Sequence, residues 1–203
     1  MNKTCFFKWM TLFILIAVLG GACTIPFYFE SASIYYKTGM DKLMLRTGKI
    51  LGIVAALLMV FQLILVGRFS ALDQLWGLKK LVHYHRINGV ILLIVALIHP
   101  VLILGADHFV LFPLESKYWP EFVGVFLLVL VLLFVGVSHW QKPLGITYKT
   151  WRGMHKRMAP VLFLLVFVHV FNVSRTFESG VPFYAASVCA VIVVCLMIRK
   201  FFK

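Results

Sequence analysis

The chain has 203 residues, of which 62% are hydrophobic and only 13% are charged. A soluble globular domain is roughly 45–50% apolar and about 25% charged, and it could not cover this much apolar surface with polar groups. The 20 Lys and Arg against 7 Asp and Glu give a formal charge of +13, which in a soluble protein would suggest nucleic-acid binding. In so apolar a chain, the excess is instead typical of the cytoplasmic ends of membrane helices. We therefore expect an all-α polytopic membrane protein and no nucleic-acid partner.

Six apolar stretches of near-spanning length follow one another, with breaks that carry Gly, Pro, Ser and charged residues. They lie at about 6–27, 50–66, 87–104, 122–137, 158–173 and 181–198. The first follows Lys3 and Lys8 like a signal peptide, but its apolar character continues to Tyr28, so we expect a retained helix. Residues 69–81 suit a short helix on the membrane surface. Without an internal repeat, the sequence predicts one domain, 1–203, built as a six-helix bundle.

The positions of the basic residues predict the orientation of the spans. With both termini in the cytoplasm, about 14 of the 20 Lys and Arg fall inside, and six of the seven acids fall outside, leaving Asp73 inside. The inner set comprises Lys3, Lys8, Arg68, Lys79, Lys80, Arg86, Lys142, Lys149, Arg152, Lys156, Arg157, Arg199, Lys200 and Lys203. The bilayer predicted here is the cell membrane, inner or plasma.

Four histidines lie within or at the start of two spans that run in the same direction. His85 and His99 are 14 residues apart on the third span, and His155 and His169 are 14 apart on the fifth. Fourteen helical residues return to within roughly 40° of the starting face and rise about 21 Å. Packed side by side, the two helices would pair the histidines at two levels, which suits the axial ligation of haem. His83 is predicted on the opposite face of its helix.

Other interpretations of the histidines remain open at this point. A membrane histidine is often a hydrogen-bond partner between helices, and a transporter or channel would use such residues for protons or metal ions. A purely structural membrane protein is a third class. Against the transporter stands the lack of a carboxylate in any apolar span. His108 and His139 fall at a loop and a span end, where solvated histidine is expected.

The run LDQLWGLKKLVHYHRINGVILLIVALIHPVLIL, followed by KTWRGMHKRMAPVLFLLVFVHVF, closely resembles the ferric reductase-like transmembrane domain. This domain occurs in ferric reductases, in NADPH oxidases and in the haem subunit of the bacterial methionine sulfoxide reductase system. The resemblance implies two b-type haems held by the third and fifth helices, with His85, His99, His155 and His169 at the ligand positions. Arg86 and Arg157, beside the inner histidines, are candidates to meet haem propionates, although both also suit membrane anchors.

The resemblance also implies that electrons pass from a cytoplasmic flavin to an acceptor outside. The sequence contains no G-x-G-x-x-G motif after a strand and no soluble stretch able to hold a flavin domain. We therefore expect a separate cytoplasmic flavoprotein reductase, which would carry the FAD or FMN, or a quinol as electron donor, unless the chain is a fragment. Ferric iron, oxygen and an extracytoplasmic protein partner are the expected acceptors, and any catalysis would be redox.

Overall fold

A computed structural model describes residues 3–110 and 114–201, and these residues form helices without any strand. Six helices are long and apolar enough to cross a membrane, as the sequence predicted. Lys203 of the predicted inner basic set lies outside the described residues, as do the side chains of Lys3 and Lys200. The helices are α1 (Lys3–Tyr28), α2 (Ala32–Tyr35), α3 (Gly39–Leu65), α4 (Ser70–Trp76), α5 (Leu78–Gly105), α6 (Trp119–His139), α7 (Tyr148–Val173) and α8 (Gly180–Phe201).

The spanning helices extend beyond the apolar stretches that predicted them, because helix formation continues into their polar flanks. The second span was predicted from residue 50, whereas α3 begins at Gly39 and ends at Leu65. Pro26, Pro100 and Pro160 all lie inside long helices. Prolines are tolerated in membrane helices because neighbouring groups satisfy the backbone carbonyls that proline leaves without a donor.

The short helix predicted at residues 69–81 is shorter in the structure. The structure ends α4 at Trp76 and starts α5 at Leu78, so Lys79 and Lys80 belong to the first turn of a spanning helix. The break occurs at Gly77, whose φ of +77° is a conformation that side chains other than glycine rarely adopt.

The chain forms two compact units, and the first extends to Ala106. In this unit α3 packs along α5, and α1 packs against α3. Ile34, Leu45 and Ala106 form a small buried cluster at one end, which Met44 and Ile103 cover. At the same end Arg46 pairs with Glu30.

The second unit begins at Asp107 and contains α6, α7 and α8. Helix α6 packs against α7, and α7 contacts α8. The ring of Phe171 lies 6.3 Å from that of Phe167 on its own helix and 5.8 Å from that of Phe183 on α8.

Few apolar side chains of the spans are fully buried in a protein core. In the most apolar stretch of α5 only 6% of the residues are buried, and the value for α6 is the same. Such a surface is stable only against hydrocarbon, because exposing it to water would cost roughly 25 cal/mol per Å². The protein is therefore a multi-pass membrane protein surrounded by lipid.

Candidate haem-ligand histidines

His99 on α5 rests against the backbone of α3. Its Nδ1 donates a hydrogen bond to the Gly48 carbonyl oxygen at 2.7 Å. The ring also covers Gly52, where an added Cβ would lie 2.8 Å from His99 Cε1 and 3.0 Å from Nδ1. Side-chain Cβ atoms essentially never approach so closely, so this position of the ring depends on glycine at residue 52.

His85, near the other end of α5, contacts the last turn of α3. Its Nδ1 donates to the Gln62 carbonyl oxygen at 3.2 Å. The last four carbonyls of a helix have no partner within the helix, and Gln62 falls among them because α3 ends at Leu65. Gly89 lies one turn beyond His85, and a Cβ there would lie 2.9 Å from Nε2 at the end of the flexible Gln62 side chain.

His169 on α7 repeats in the second unit the arrangement that His99 has in the first. Its Nδ1 donates to the Pro120 carbonyl oxygen of α6 at 2.8 Å. The ring covers Gly124, where a Cβ would lie 2.5 Å from His169 Cε1 and 2.9 Å from Nδ1. In both units the covered glycine follows the acceptor residue by four positions.

His155, at the other end of α7, is held between aromatic rings. The ring of Trp151, one turn earlier, lies 5.3 Å from it, and that of Phe134 on α6 also lies 5.3 Å away. Trp151 is fixed in turn by a hydrogen bond from its Nε1 to Ser138 Oγ on α6 at 3.1 Å. The histidine is thus oriented by its own helix and by a neighbouring one.

The hydrogen bonds of His85, His99 and His169 define the chemistry of their rings. A carbonyl oxygen can only accept, so Nδ1 carries the proton and the lone pair of the neutral ring is on Nε2. Metal-bound histidines usually donate their second ring N–H to a carboxylate, carbonyl or water in this way, which fixes the tautomer and raises ligand basicity. These three side chains therefore fit the role of axial haem ligands through Nε2.

The remaining predicted positions differ in exposure. His83, expected on the other face of α5, is exposed, whereas His85 is half-buried. Arg86 and Arg157 are both exposed. His108 lies in the turn after α5 and His139 at the end of α6, and both are exposed, in the positions expected of solvated histidines.

The sequence predicts the histidines as candidate ligands but does not predict the groups that orient them. Gly48, Gln62 and Pro120 contribute main-chain carbonyls, which leave no mark on residue type. Gly124 did carry a signal, as an isolated glycine in an apolar span where alanine or leucine would make a better helix. Gly52 follows Gly48 in a G-x-x-x-G spacing, which is typical of close helix packing. Nothing in the sequence paired either glycine with a particular histidine.

The fold and these side chains define a polytopic helical membrane protein with histidines oriented inside its spans. Within the described residues, no three His, Cys, Asp or Glu side chains form a group that could hold a metal ion. A family model described as ferric reductase like transmembrane component matches residues 51–167, more than half of the chain. The chain belongs to this family, whose members typically bind haem, and membership indicates transmembrane electron transfer.

The matched region contains His85, His99 and His155, and it ends two residues before His169. Searches of curated proteins and of solved structures found no match to the chain.

Proposed function

We propose that this protein carries electrons across the cell membrane through two b-type haems stacked between its faces. The donor is a cytoplasmic flavoprotein reductase, which carries its own FAD or FMN, or a quinol. The acceptor lies on the opposite side and is ferric iron, oxygen or a partner reductase. The protein is then the membrane component of an oxidoreductase, with both termini in the cytoplasm.

The proposed ligands form two levels. His85 and His155 hold the inner haem, and His99 and His169 hold the outer haem. The pairing follows from the sequence, because spans three and five run in the same direction and each places its two histidines 14 residues apart. A rise of about 21 Å separates the levels on each helix, so each haem lies nearer to one face of the membrane.

The observation that carries this proposal is the orientation of the three rings whose Nδ1 donates to a main-chain carbonyl. A histidine that merely joined two helices could use either ring nitrogen. Here the same nitrogen is used each time, and Nε2 keeps the lone pair that an iron ion requires. Since this arrangement occurs in both units, it supports a common role for the histidines on α5 and α7.

When bound, each haem supplies an iron centre that takes up and releases one electron at a time. The protein's own contribution is to fix two imidazoles per haem, to keep water away and to set the polarity around the iron. Phe163, which lies between His155 and His169 in sequence and is 6% exposed, is proposed to help keep water away from the haems.

Arg86 and Arg157 are proposed to face the propionates of the inner haem. Each follows an inner histidine closely in sequence, and both are exposed. An arginine forms strong bidentate hydrogen bonds with a carboxylate, which would orient the haem and partly neutralise it. Replacement of either arginine by Gln is expected to weaken haem retention less than loss of an axial histidine.

The test is optical spectroscopy of the purified, full-length protein. The dithionite-reduced minus oxidised spectrum should show the Soret and α-bands of low-spin b-type haem, and pyridine haemochrome should give two haems per chain. His99→Ala and His169→Ala should each remove the outer haem and leave one per chain. A protein that stays colourless after reconstitution with haem would refute the proposal, and one haem per wild-type chain would refute the two-level pairing.

A further inference from the structure

Two glycines on different helices have the same relation to a histidine and to a backbone carbonyl. His99 bonds to the carbonyl of Gly48 and covers Gly52, while His169 bonds to the carbonyl of Pro120 and covers Gly124. One pair lies in the first unit and the other in the second, so packing within one helix pair does not account for both.

Helix geometry explains why the glycine stands four residues after the acceptor. In an α-helix the carbonyl of residue i points toward the amide of residue i+4, and the Cα–Cβ bond of residue i+4 tilts back toward that carbonyl. A side chain at i+4 therefore blocks a ring that approaches the carbonyl from outside. Glycine leaves this path open, and the imidazole occupies the space instead.

A methyl group added at either glycine would clash with the neighbouring histidine ring. A Cβ at Gly52 would lie 2.8 Å from the His99 ring, and a Cβ at Gly124 would lie 2.5 Å from the His169 ring. An imidazole is rigid, and each ring is also tied to a carbonyl at 2.7 or 2.8 Å. The ring could make room only by lengthening or breaking that hydrogen bond.

We propose that Gly52 and Gly124 are positioning residues for the outer haem. Each lets its histidine donate Nδ1–H to the helix backbone, which fixes Nε2 as the ligating nitrogen and makes it a stronger electron donor. A stronger donor stabilises the oxidised iron, so these contacts lower the midpoint potential of the outer haem. This inference rests on the proposed function, because it assigns His99 and His169 to one haem.

The experiment compares Gly52→Ala and Gly124→Ala with two glycine variants that should not disturb a histidine. Gly136→Ala lies on the same helix as Gly124, and its Cβ would be in ordinary contact, 3.5 Å from the Trp140 ring. Gly21→Ala on α1 would have nothing within 4 Å. Each full-length protein is purified, assayed for haem and titrated for its midpoint potentials.

Both positioning variants should weaken binding of the outer haem about tenfold, the lower end of the effect typical of altered partners behind a metal ligand. The midpoint potential of the haem they retain should rise; a tenfold change in the preference for oxidised over reduced iron corresponds to about 59 mV. The inner haem should titrate as in the wild type. Haem content and potentials equal to those of Gly136→Ala would overturn the inference while leaving the proposed function intact.

A second measurement is made on the full-length chain purified without haem, so that iron ligation does not dictate the tautomer. Nitrogen-15 NMR of this chain, labelled at histidine, reports which ring nitrogen carries the proton. The wild type should show Nδ1–H for His99 and His169, and each glycine variant should alter the signal of its own histidine only. If neither variant folds, wild-type rings protonated at Nε2 would still overturn the inference.

The same spectra separate the two proposals. A chain that binds no haem refutes the proposed function, but signals that depend on Gly52 and Gly124 would still support the contacts described here.

Discussion

Neighbouring histidines of α5 have different surroundings although only two residues separate them. His85 is half-buried and donates to the Gln62 carbonyl at 3.2 Å, whereas His83 is exposed. The difference arises because two residues on a helix are about 200° apart, so only one of the rings can face α3. His83 and His85 are the same residue type, so the candidate ligand is distinguished by the group that orients its ring.

The first prediction uses this pair. His85→Ala should remove the inner haem and leave one haem per chain, because the iron would lose an axial ligand. His83→Ala, the matched control on the same helix, should retain two haems and unchanged spectra. Pyridine haemochrome and the reduced minus oxidised spectrum measure both. Loss of haem from His83→Ala with full retention in His85→Ala would reverse the assignment.

A second prediction concerns the aromatic contact of His155. Trp151→Phe keeps a ring beside the histidine and loses the hydrogen bond to Ser138, which should cost about 0.5–1.5 kcal/mol. Trp151→Ala also loses the ring contact at 5.3 Å, which should cost roughly 0.5–1.5 kcal/mol in addition to the lost burial of the half-buried ring, with an altered inner-haem EPR spectrum.

Thermal unfolding in detergent, followed with EPR of the oxidised protein, tests the prediction for Trp151. The control is Trp9→Phe, because Trp9 on α1 is 65% exposed and should tolerate the change. Equal unfolding midpoints and equal EPR spectra for the two Trp151 variants would show that the ring does not support His155.

The candidate ligands could be predicted from the sequence because a 14-residue spacing records which helix face a side chain occupies. The carbonyl acceptors at positions 48 and 120 could not be predicted, because every residue type carries a main-chain carbonyl. Whether a carbonyl is accessible depends on the position of the neighbouring helix. Gly89 shows the same limit: a glycine there is equally compatible with room for a porphyrin edge and with close helix packing, and only the structure places the Gln62 side chain beside it.

At the scale of elements, glycines bring α3 and α5 into close contact. A Cβ at Gly48 would lie 2.8 Å from Ile103 Cδ1 and 3.3 Å from the Ile103 backbone nitrogen, so the backbones themselves approach closely. Small residues have this role widely in membrane helices, where packing and hydrogen bonds rather than hydrophobic burial hold helices together. The close contact also brings the histidines of α5 within reach of the carbonyls of α3.

The third prediction contrasts two glycine-to-alanine substitutions that should change the stability of the protein in opposite directions. Gly48→Ala should destabilise the protein by about 1–3 kcal/mol, because the added methyl group overpacks the contact with Ile103. Gly21→Ala should be neutral or stabilising by up to about 1 kcal/mol, since alanine is the better helix former and nothing lies within 4 Å. Thermal unfolding midpoints of the two variants should move in opposite directions, and a higher midpoint for Gly48→Ala would contradict the role of this contact.

The spanning helices were predictable because about 20 consecutive apolar residues have few other stable conformations in a chain of this composition. The ends of these helices were less predictable, since flanks such as residues 39–49, whose charged residues interrupt the apolar ones, continue α3. The break between α4 and α5 at Gly77 was not predicted for a related reason. The helical spacing of apolar residues in 69–81 continues through the glycine, whereas the backbone turns there.

For the whole molecule, the excess of positive charge is best explained by orientation in the membrane. In the predicted topology the inner ends hold about 14 basic side chains and one acid, Asp73, which lies 3.4 Å from Arg68. The outer segments hold six of each sign. The basic inner face would attract anionic lipid or an acidic reductase on the side where electrons are proposed to enter.

The last prediction tests this orientation by cysteine labelling. Leu114, 94% exposed before α6, is predicted outside, and Leu144, 56% exposed between α6 and α7, is predicted inside. In a background with the four native cysteines replaced by serine, Leu114→Cys should react with a membrane-impermeant maleimide in intact cells. Leu144→Cys should react only after permeabilisation, because the reagent cannot cross the bilayer. The reverse pattern would invert the topology and place His85 and His155 on the side from which electrons leave.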